Sequence, residues 1–459
     1  MKYRIETDTL GEVKVPAKAL YGAQTQRAIQ NFPVSGLRLP RRFVHAQGII
    51  KLAAARTNGR LGKLDKKLAS AIEQAAQEVV EGRHDNQFCV DVYQAGAGTS
   101  QNMNANEVIA NRANEILGGQ KGDTSLCNPN DHVNMAQSTN DTMPTAIHIS
   151  ALEALKYDLR PVLNSLSKTL ARKVKAFMPI VKSGRTHLQD AVPMRLGQEF
   201  SGYASALERE KLRIEHTAQT LLELPLGGNA VGTGINAHPR YRPEVVREIA
   251  RITRMKFRPM DNTFEGIQNV VGALELSAAL RGLAVTVSRI ANDIRLLSSG
   301  PRTGLAELKL PAVQPGSSIM PGKVNPVMAE MMNMVCFQVI GNDATITYAA
   351  QAGQLELNVM MPLIAYNTLM SIEILSNGLR TFNDLCLSGI KADRKECERR
   401  VEQSLAMATA LNPIIGYHKA AEVSEKAYIQ GKTVKEVVIQ EGLLSEGDAD
   451  KLLDPERLV

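Results

Sequence analysis

The sequence is poor in several kinds of residue, and each shortage excludes a class of protein. Only 4% of its 459 residues are aromatic and none is Trp, so Ala, Leu, Val and Met must fill the interior. Its five cysteines form no CxxC pair, which excludes a disulfide framework and a zinc-ribbon site. No uninterrupted apolar run is long enough to cross a bilayer, and the N-terminus lacks the apolar core of a secretory signal. We therefore expect a cytoplasmic protein with no membrane partner.

The charged residues form no block of one sign. The net charge is +7, but Lys and Arg are scattered among acids, without the interleaved aromatics that nucleic-acid surfaces use. We expect no nucleic-acid partner, although a modest positive balance favours the approach of a small anion.

Apolar residues in the middle of the chain recur every three or four positions, which predicts long helices with one apolar stripe. One such series is Leu155, Leu159, Val162, Leu166, Leu170, Val174 and Phe177. Similar stripes cover 200–224, 274–297 and 327–382, and the last is long enough to require a break at Gly341, Gly353 or Pro362. Two helices are predicted within 42–81, whereas the first thirty-odd residues show no helical period and predict an extended, looped entry. The pattern indicates an all-α protein built on a helix bundle.

Two polar segments have the character of helix starts. Residues 96–107 (GAGTSQNMNANE) and 128–144 (NPNDHVNMAQSTNDTMP) place hydroxyls and amides where a core helix would carry aliphatics. The free N–H groups of a helix start can hold an anion. The alternative for each segment is ordinary capping, by Thr99 or Ser100 before a solvated helix face, or with Asp141 near a helix N-terminus.

Two further segments carry groups that can transfer or attract protons. In 184–193 (GRTHLQDAVP), His187 can exchange protons near neutral pH, although a lone His in a polar turn is more often a surface residue. In 314–326 (QPGSSIMPGKVNP), three prolines and two glycines exclude a helix and predict a loop able to close over a substrate. It lacks the spacing of a phosphate loop, and 227–234 is interpreted as a structural turn because it lacks the setting of a dinucleotide fingerprint.

The last of these segments resembles the signature of the fumarase/aspartase superfamily, Gly-Ser-Ser-x-Met-Pro-x-Lys-x-Asn-Pro. The segments around Thr99, Ser138, His187 and Gly228, and the early YGAQT at 21–25, follow in the family's order. The resemblance implies an all-helical protomer of three domains, here 1–137, 138–389 and 390–459, whose central helices assemble into a homotetramer. It further implies active sites shared between subunits, a small dicarboxylate substrate and no required cofactor, and leaves a divalent cation such as Mg²⁺ open as an activator.

The implied reaction is anti elimination through an aci-carboxylate carbanion. Ser317 matches the family's base and must act as an oxyanion stabilised by Lys323 and nearby loop N–H groups, and His187 is the second catalytic candidate. Fixed donors must lie where the negative charge develops. The residues that match substrate-binding positions are Thr99, Ser138, Thr139, Asn140, Thr186, Ser318, Lys323 and Asn325.

Details of the motifs favour deamination of L-aspartate to fumarate and ammonia. Ala97, Thr139 and Asn128 resemble aspartases, where fumarases of this class usually carry Ser, Ser and His. Met361, standing where aspartases commonly carry Glu, and the Gly322-Lys323 and 417–421 stretches also suit fumarases, so hydration of fumarate to L-malate is the alternative. A helical scaffold without catalysis is a third reading. The intact polar set of the signature loop argues against it.

Overall fold

The computed structural model describes residues 2–459, and 63% of the chain is helical, which confirms the all-α class. The α-helices are α1 Ala23–Asn31, α2 Arg41–Arg60, α3 Lys66–Val80, α4 Thr99–Ile116, α5 Thr139–Ala154, α6 Arg160–Phe177, α7 Leu196–Thr217, α8 Tyr241–Thr253, α9 Thr263–Gln268, α10 Val271–Leu297, α11 Val327–Gln351, α12 Met361–Leu385, α13 Arg394–Gln403, α14 Asn412–Ile415, α15 Tyr417–Gln430, α16 Val434–Gln440 and α17 Glu446–Leu452. Short 3₁₀ or π turns lie at Asp85–Gln87, Gly96–Gly98, Pro129–Val133, Leu155–Leu159, Thr220–Leu222, Leu387–Gly389, Leu405–Leu411 and Pro455–Arg457.

Strands occur only as pairs in this part of the chain. The pairs are β1 Tyr3–Asp8 with β2 Gly11–Pro16, β3 Val181–Thr186 with β4 Gln189–Arg195, β5 Glu223–Leu224 with β6 Arg258–Pro259, and β7 Leu308–Lys309 with β8 Lys391–Ala392. Only β5 and β6 run parallel. In the β3–β4 hairpin Thr186 lies opposite Gln189, which leaves a turn of two residues.

The chain forms two compact units, each from three stretches. The first comprises Met1–Pro161, Leu212–Ala284 and Phe337–Ser376, and the second comprises Val162–Lys211, Val285–Cys336 and Asn377–Val459. The core of the first unit lies where α2, α3 and α4 pack together, around buried aliphatics such as Leu52, Ile72 and Val108. Close packing of these helices suits a sequence rich in Ala and short of aromatics. The three-domain division remains a prediction.

Helix α1 corrects the prediction that helices begin only after the entry segment. Its first backbone N–H groups are bound by the carboxylate of Glu107, which accepts from Gly22 N at 2.8 Å, Gln24 N at 2.9 Å and Thr25 N at 3.1 Å. A carboxylate at a helix N-terminus satisfies donors that the helix itself cannot. Because this cap lies more than eighty residues away in sequence, no local pattern indicates the helix.

The apolar stripes predicted from the sequence lie on long helices, and the structure defines where these helices begin and end. The 327–382 stripe is broken between α11 and α12, at the segment that contains Gly353, whereas Gly341 lies inside α11 and Pro362 in the first turn of α12. Helix α10 is long and apolar enough to cross a membrane by length and composition alone. However, 56% of its most apolar stretch is buried inside the protein, as in a core helix, so this single helix is weak evidence for a membrane span.

Candidate functional site

Thr99 is exposed to solvent at the start of α4, whereas the polar side chains that follow it on the helix are buried. Gly98, with φ +87°, precedes the helix, and the cap comes from Gln94, whose Oε1 accepts from Gln101 N at 2.8 Å, so the expected cap by Thr99 or Ser100 is wrong. The face behind is not solvated either, because the side chains of Asn102 and Asn106 are buried. Buried amides need partners, so this helix face must belong to a hydrogen-bonded network.

The start of α5 is a capping box that also fastens a neighbouring loop. The Ser138 hydroxyl accepts from Asn140 N at 3.2 Å, and Asp141 Oδ1 accepts from Ser138 N at 2.9 Å, which confirms the capping interpretation. Asp141 Oδ2 also accepts from Gly227 N at 2.9 Å and Asn229 N at 2.8 Å. Burial raises the pKa of Asp141 to about 6 despite these donors. The 227–234 segment is therefore a structural turn, held against the residues that match substrate-binding positions.

Sequence reasoning missed a buried lysine beneath this helix start. Lys51, on α2, is 1% exposed, and its Nζ donates to Asn102 Oδ1 at 2.9 Å, Gln137 Oε1 at 3.0 Å and Asn134 Oδ1 at 3.1 Å. Asn102 Nδ2 in turn donates to Thr139 Oγ1 at 3.1 Å. Burial lowers the pKa of Lys51 to about 7. The one available signal was a lysine set among the aliphatic and alanine residues of 49–55.

Thr186 and His187 lie at the exposed tip of the β3–β4 hairpin. The two turn residues, His187 and Leu188, have φ +55° and +61°, as a type I′ hairpin turn requires, although neither is glycine. Strain of this kind persists only where the surroundings hold it. Strand β3 supplies that support, because Lys182 and Arg185 contact the fully buried carboxylate of Glu307 at 3.0 and 2.7 Å, as ion pairs without hydrogen-bond alignment.

The signature loop folds around the Ser317 hydroxyl. Its Oγ accepts from Met320 N at 3.0 Å and Ile319 N at 3.2 Å. The loop is closed by Gly316 N donating to Lys323 O at 2.8 Å and Asn325 Nδ2 donating to Gly316 O at 2.6 Å. Two backbone donors aimed at one oxygen are the arrangement that stabilises an oxyanion. The loop lines a cavity of about 450 Å³, and Lys323 and Ser318 are exposed beside it.

The predicted site residues fall into both units. Thr99, Ser138, Thr139 and Asn140 belong to the first, whereas Thr186, His187, Ser317, Ser318, Lys323 and Asn325 belong to the second. Within the first unit, Asn102 hydrogen-bonds Thr139 and therefore links α4 with the start of α5. Within the second, no hydrogen bond or ion pair among the described residues joins the hairpin tip to the signature loop. Across residues 2–459, no group of three or more His, Cys, Asp or Glu side chains is placed to hold a metal ion.

Comparison with known proteins decides the family. The model of the lyase family matches residues 11–341, and that of the fumarase C C-terminus matches residues 407–459. The chain belongs to the fumarase/aspartase superfamily of lyases. A solved class II fumarase from Schistosoma mansoni superposes with a TM-score of 0.96 at 40% identity, covering 99% of this chain and 98% of its own.

Relatives of this lyase that match along its whole length carry two different names. An aspartate ammonia-lyase from Bacillus subtilis (strain 168) is 49% identical, covering 99% of this chain and 95% of its own. A class II fumarate hydratase from Halobacterium salinarum is 53% identical, covering 99% and 96%. Overall identity therefore establishes the superfamily. Whether ammonia or water is the leaving group must be argued from individual positions.

Proposed function

We propose that this lyase is an aspartate ammonia-lyase, which converts L-aspartate reversibly to fumarate and ammonium. The observation that carries the proposal is the pair of backbone N–H groups on Ser317 Oγ, because elimination next to a carboxylate needs a strong base at a fixed position. Two directed dipoles favour the alkoxide over the hydroxyl, as an oxyanion hole does.

In the proposed reaction, the Ser317 alkoxide takes a proton from C3 of aspartate. The electron pair left on C3 is delocalised into the adjacent carboxylate as an aci-carboxylate carbanion, and Lys323 and Asn325 of the same loop stabilise the added charge. The pair then forms the C2–C3 double bond as the C2–N bond breaks. The amine departs as neutral ammonia, which takes the proton that Ser317 received.

The substrate's carboxylates need donors that do not have to be charged. The starts of α4 and α5 supply them, because helix N-termini carry partial positive charge and unpaired N–H groups. Thr99, Ser138, Thr139 and Asn140 add short hydroxyl and amide donors at these two ends. We assign them to substrate binding together with Thr186 and Ser318.

The proposal of deamination over hydration rests on Ala97, Thr139 and Asn128, which resemble aspartases. Asn128 caps the following turn through Asn130 N and Asp131 N, so it has a structural use besides any contact with ligand. The second candidate is fumarate hydratase. It is favoured by the 53% identity to a class II fumarate hydratase and by Met361 before Pro362.

The test is fumarate absorbance with L-aspartate and, separately, L-malate supplied to the purified protein. Fumarate from aspartate with an equal amount of ammonia supports the proposal, whereas fumarate from malate alone establishes the hydratase. If fumarate forms from neither substrate, the result supports the third alternative, a helical scaffold without catalysis. Because ammonium leaves as a neutral molecule and hydroxide needs a proton, His187→Gln should lower turnover only modestly, and near-total loss would contradict deamination.

We further propose a homotetramer with active sites shared between subunits and with no required cofactor, a divalent cation serving at most as an activator. The exposed face of α11 supports the assembly. Phe337 and Tyr348 are 59% and 70% exposed on this face, and Gly341 between them has open space above it, so another helix can approach closely. Exposed aromatics aligned along one helix are typical of an interaction surface.

A further inference from the structure

A buried ammonium lies beneath the start of α5, and its hydrogen-bonding shell contains no carboxylate. Lys51 Nζ has three N–H donors, and each is used by an amide oxygen, on Asn102, Asn134 and Gln137. A buried charge is costly unless its hydrogen bonds are complete. The network is therefore built around this one cation, which the reaction proposed above does not use.

The ammonium sets the orientation of the Asn102 amide. The three amide oxygens around Nζ require the protonated form of Lys51, which can only donate, so the atom of Asn102 that faces it must be the oxygen. The amide nitrogen is thereby turned the other way, where its two hydrogens reach Thr139 Oγ1 at 3.1 Å and Asn134 Oδ1 at 3.2 Å. Gln137 is fixed in the same manner, with its nitrogen donating to Val133 O at 3.0 Å.

The amide orientation decides what the Thr139 hydroxyl can do. Thr139 Oγ1 accepts from Asn102, and within residues 2–459 its own O–H has no hydrogen-bond acceptor. Thr139 as a whole residue is 91% buried. It is the first residue of α5, so its hydroxyl lies beside the N–H groups of the helix start. A hydroxyl that accepts from the protein interior keeps its proton for a ligand that can only accept, such as a carboxylate.

We propose that Lys51 is a positioning residue that acts through Asn102, making the Thr139 hydroxyl a donor to one carboxylate of the substrate. This inference rests on the proposed function, which places Thr139 at the substrate. Lys51 itself touches no substrate. Lys51 prevents the alternative orientation, in which the Asn102 amide oxygen faces Thr139 and the Thr139 hydroxyl donates inward to it.

The sharpest test is Asn102→Asp, which keeps the size of the side chain and gives Lys51 an anionic partner. The substitution replaces the amide N–H groups by a carboxylate oxygen, so Thr139 would donate inward to the new carboxylate and be lost to the ligand. The probe is succinate, a dicarboxylate that cannot eliminate, with binding measured by calorimetry. We expect the dissociation constant to rise about 10- to 100-fold, the usual worth of a hydrogen bond to a charged group.

A thermodynamic cycle with Thr139→Val separates this effect from a general disturbance of the fold. Thr139→Val keeps the shape and removes the hydroxyl, so Asn102→Asp added to it should weaken succinate binding no further. An additive loss would show that Asn102 acts elsewhere and would overturn the inference. Lys51→Met should show the same dependence on Thr139, and the exposed Lys63→Met serves as the matched control with wild-type binding.

Fumarate formation by the wild-type protein distinguishes failure of this inference from failure of the proposed function. If the wild type turns over substrate and Asn102→Asp binds succinate as tightly as the wild type, the inference alone is wrong. If the wild type neither binds succinate nor forms fumarate, the proposed function is wrong and the inference falls with it.

Discussion

Gly316→Ala should nearly abolish catalysis without unfolding the protein. A Cβ at Gly316 would lie 2.5 Å from Lys323 O and 2.8 Å from Asn325 N, both backbone atoms that cannot rotate away. To reach even 3.0 Å, the two sides of the loop must separate by about 0.5 Å, which stretches the 2.8 Å hydrogen bond from Gly316 N to Lys323 O beyond its usual length. Ser317 is the next residue, so the widened loop moves its Oγ away from both N–H donors.

The size of the effect follows from the worth of such donors. Losing one donor to a developing oxyanion costs about 100- to 1,000-fold in kcat, so we expect at least about a 100-fold fall. Most of the loop is exposed, and the free energy of unfolding should change by less than about 1 kcal/mol.

The assay for this variant is steady-state fumarate absorbance beside thermal unfolding. Gly322→Ala in the same loop is the matched control. A Cβ at position 322 would meet no atom within 4 Å, so the only strain comes from the φ of +75°. The kcat of this variant should therefore fall by less than about tenfold. A Gly316→Ala enzyme with wild-type kcat would refute the assignment of the loop donors to the base.

Three further predictions concern stability and assembly. Burial lowers the pKa of His148 from 6.5 to about 4, because the folded protein favours the neutral ring. The contribution of His148 to the free energy of unfolding is therefore complete above pH 6.5 and is lost as the pH falls towards 4. The loss should reach about 3 kcal/mol and be absent in His148→Gln, and parallel unfolding midpoints against pH would contradict this. Glu307→Gln should destabilise the protein by about 3 kcal/mol and lower kcat, because it leaves Arg185 without its carboxylate partner under the hairpin and Lys182 with Glu199 alone, and a wild-type denaturation curve would argue against that role. Phe337→Lys should reduce the mass measured by light scattering, and an unchanged mass would show that this face of α11 is not an interface.

Much of the candidate site was predictable because its signals are local. The prolines and glycines of 314–326 exclude a helix whatever surrounds them, and the Ser138 to Asp141 spacing is that of a capping box. Apolar periodicity likewise located α10, since burial of one stripe is a property of the segment itself, and the length of the 327–382 stripe required a break at one of three positions.

What the sequence by itself determined is therefore the family and the helical class, and it named the candidate residues for the chemistry. Only the tertiary structure decided how those residues are held. Glu107 caps α1, and Lys51 fixes the amide beneath Thr139, through partners more than fifty residues apart in the chain. A hydrogen bond between distant segments leaves no periodicity or turn signal in either one, and whether a polar residue is buried depends on what packs above it.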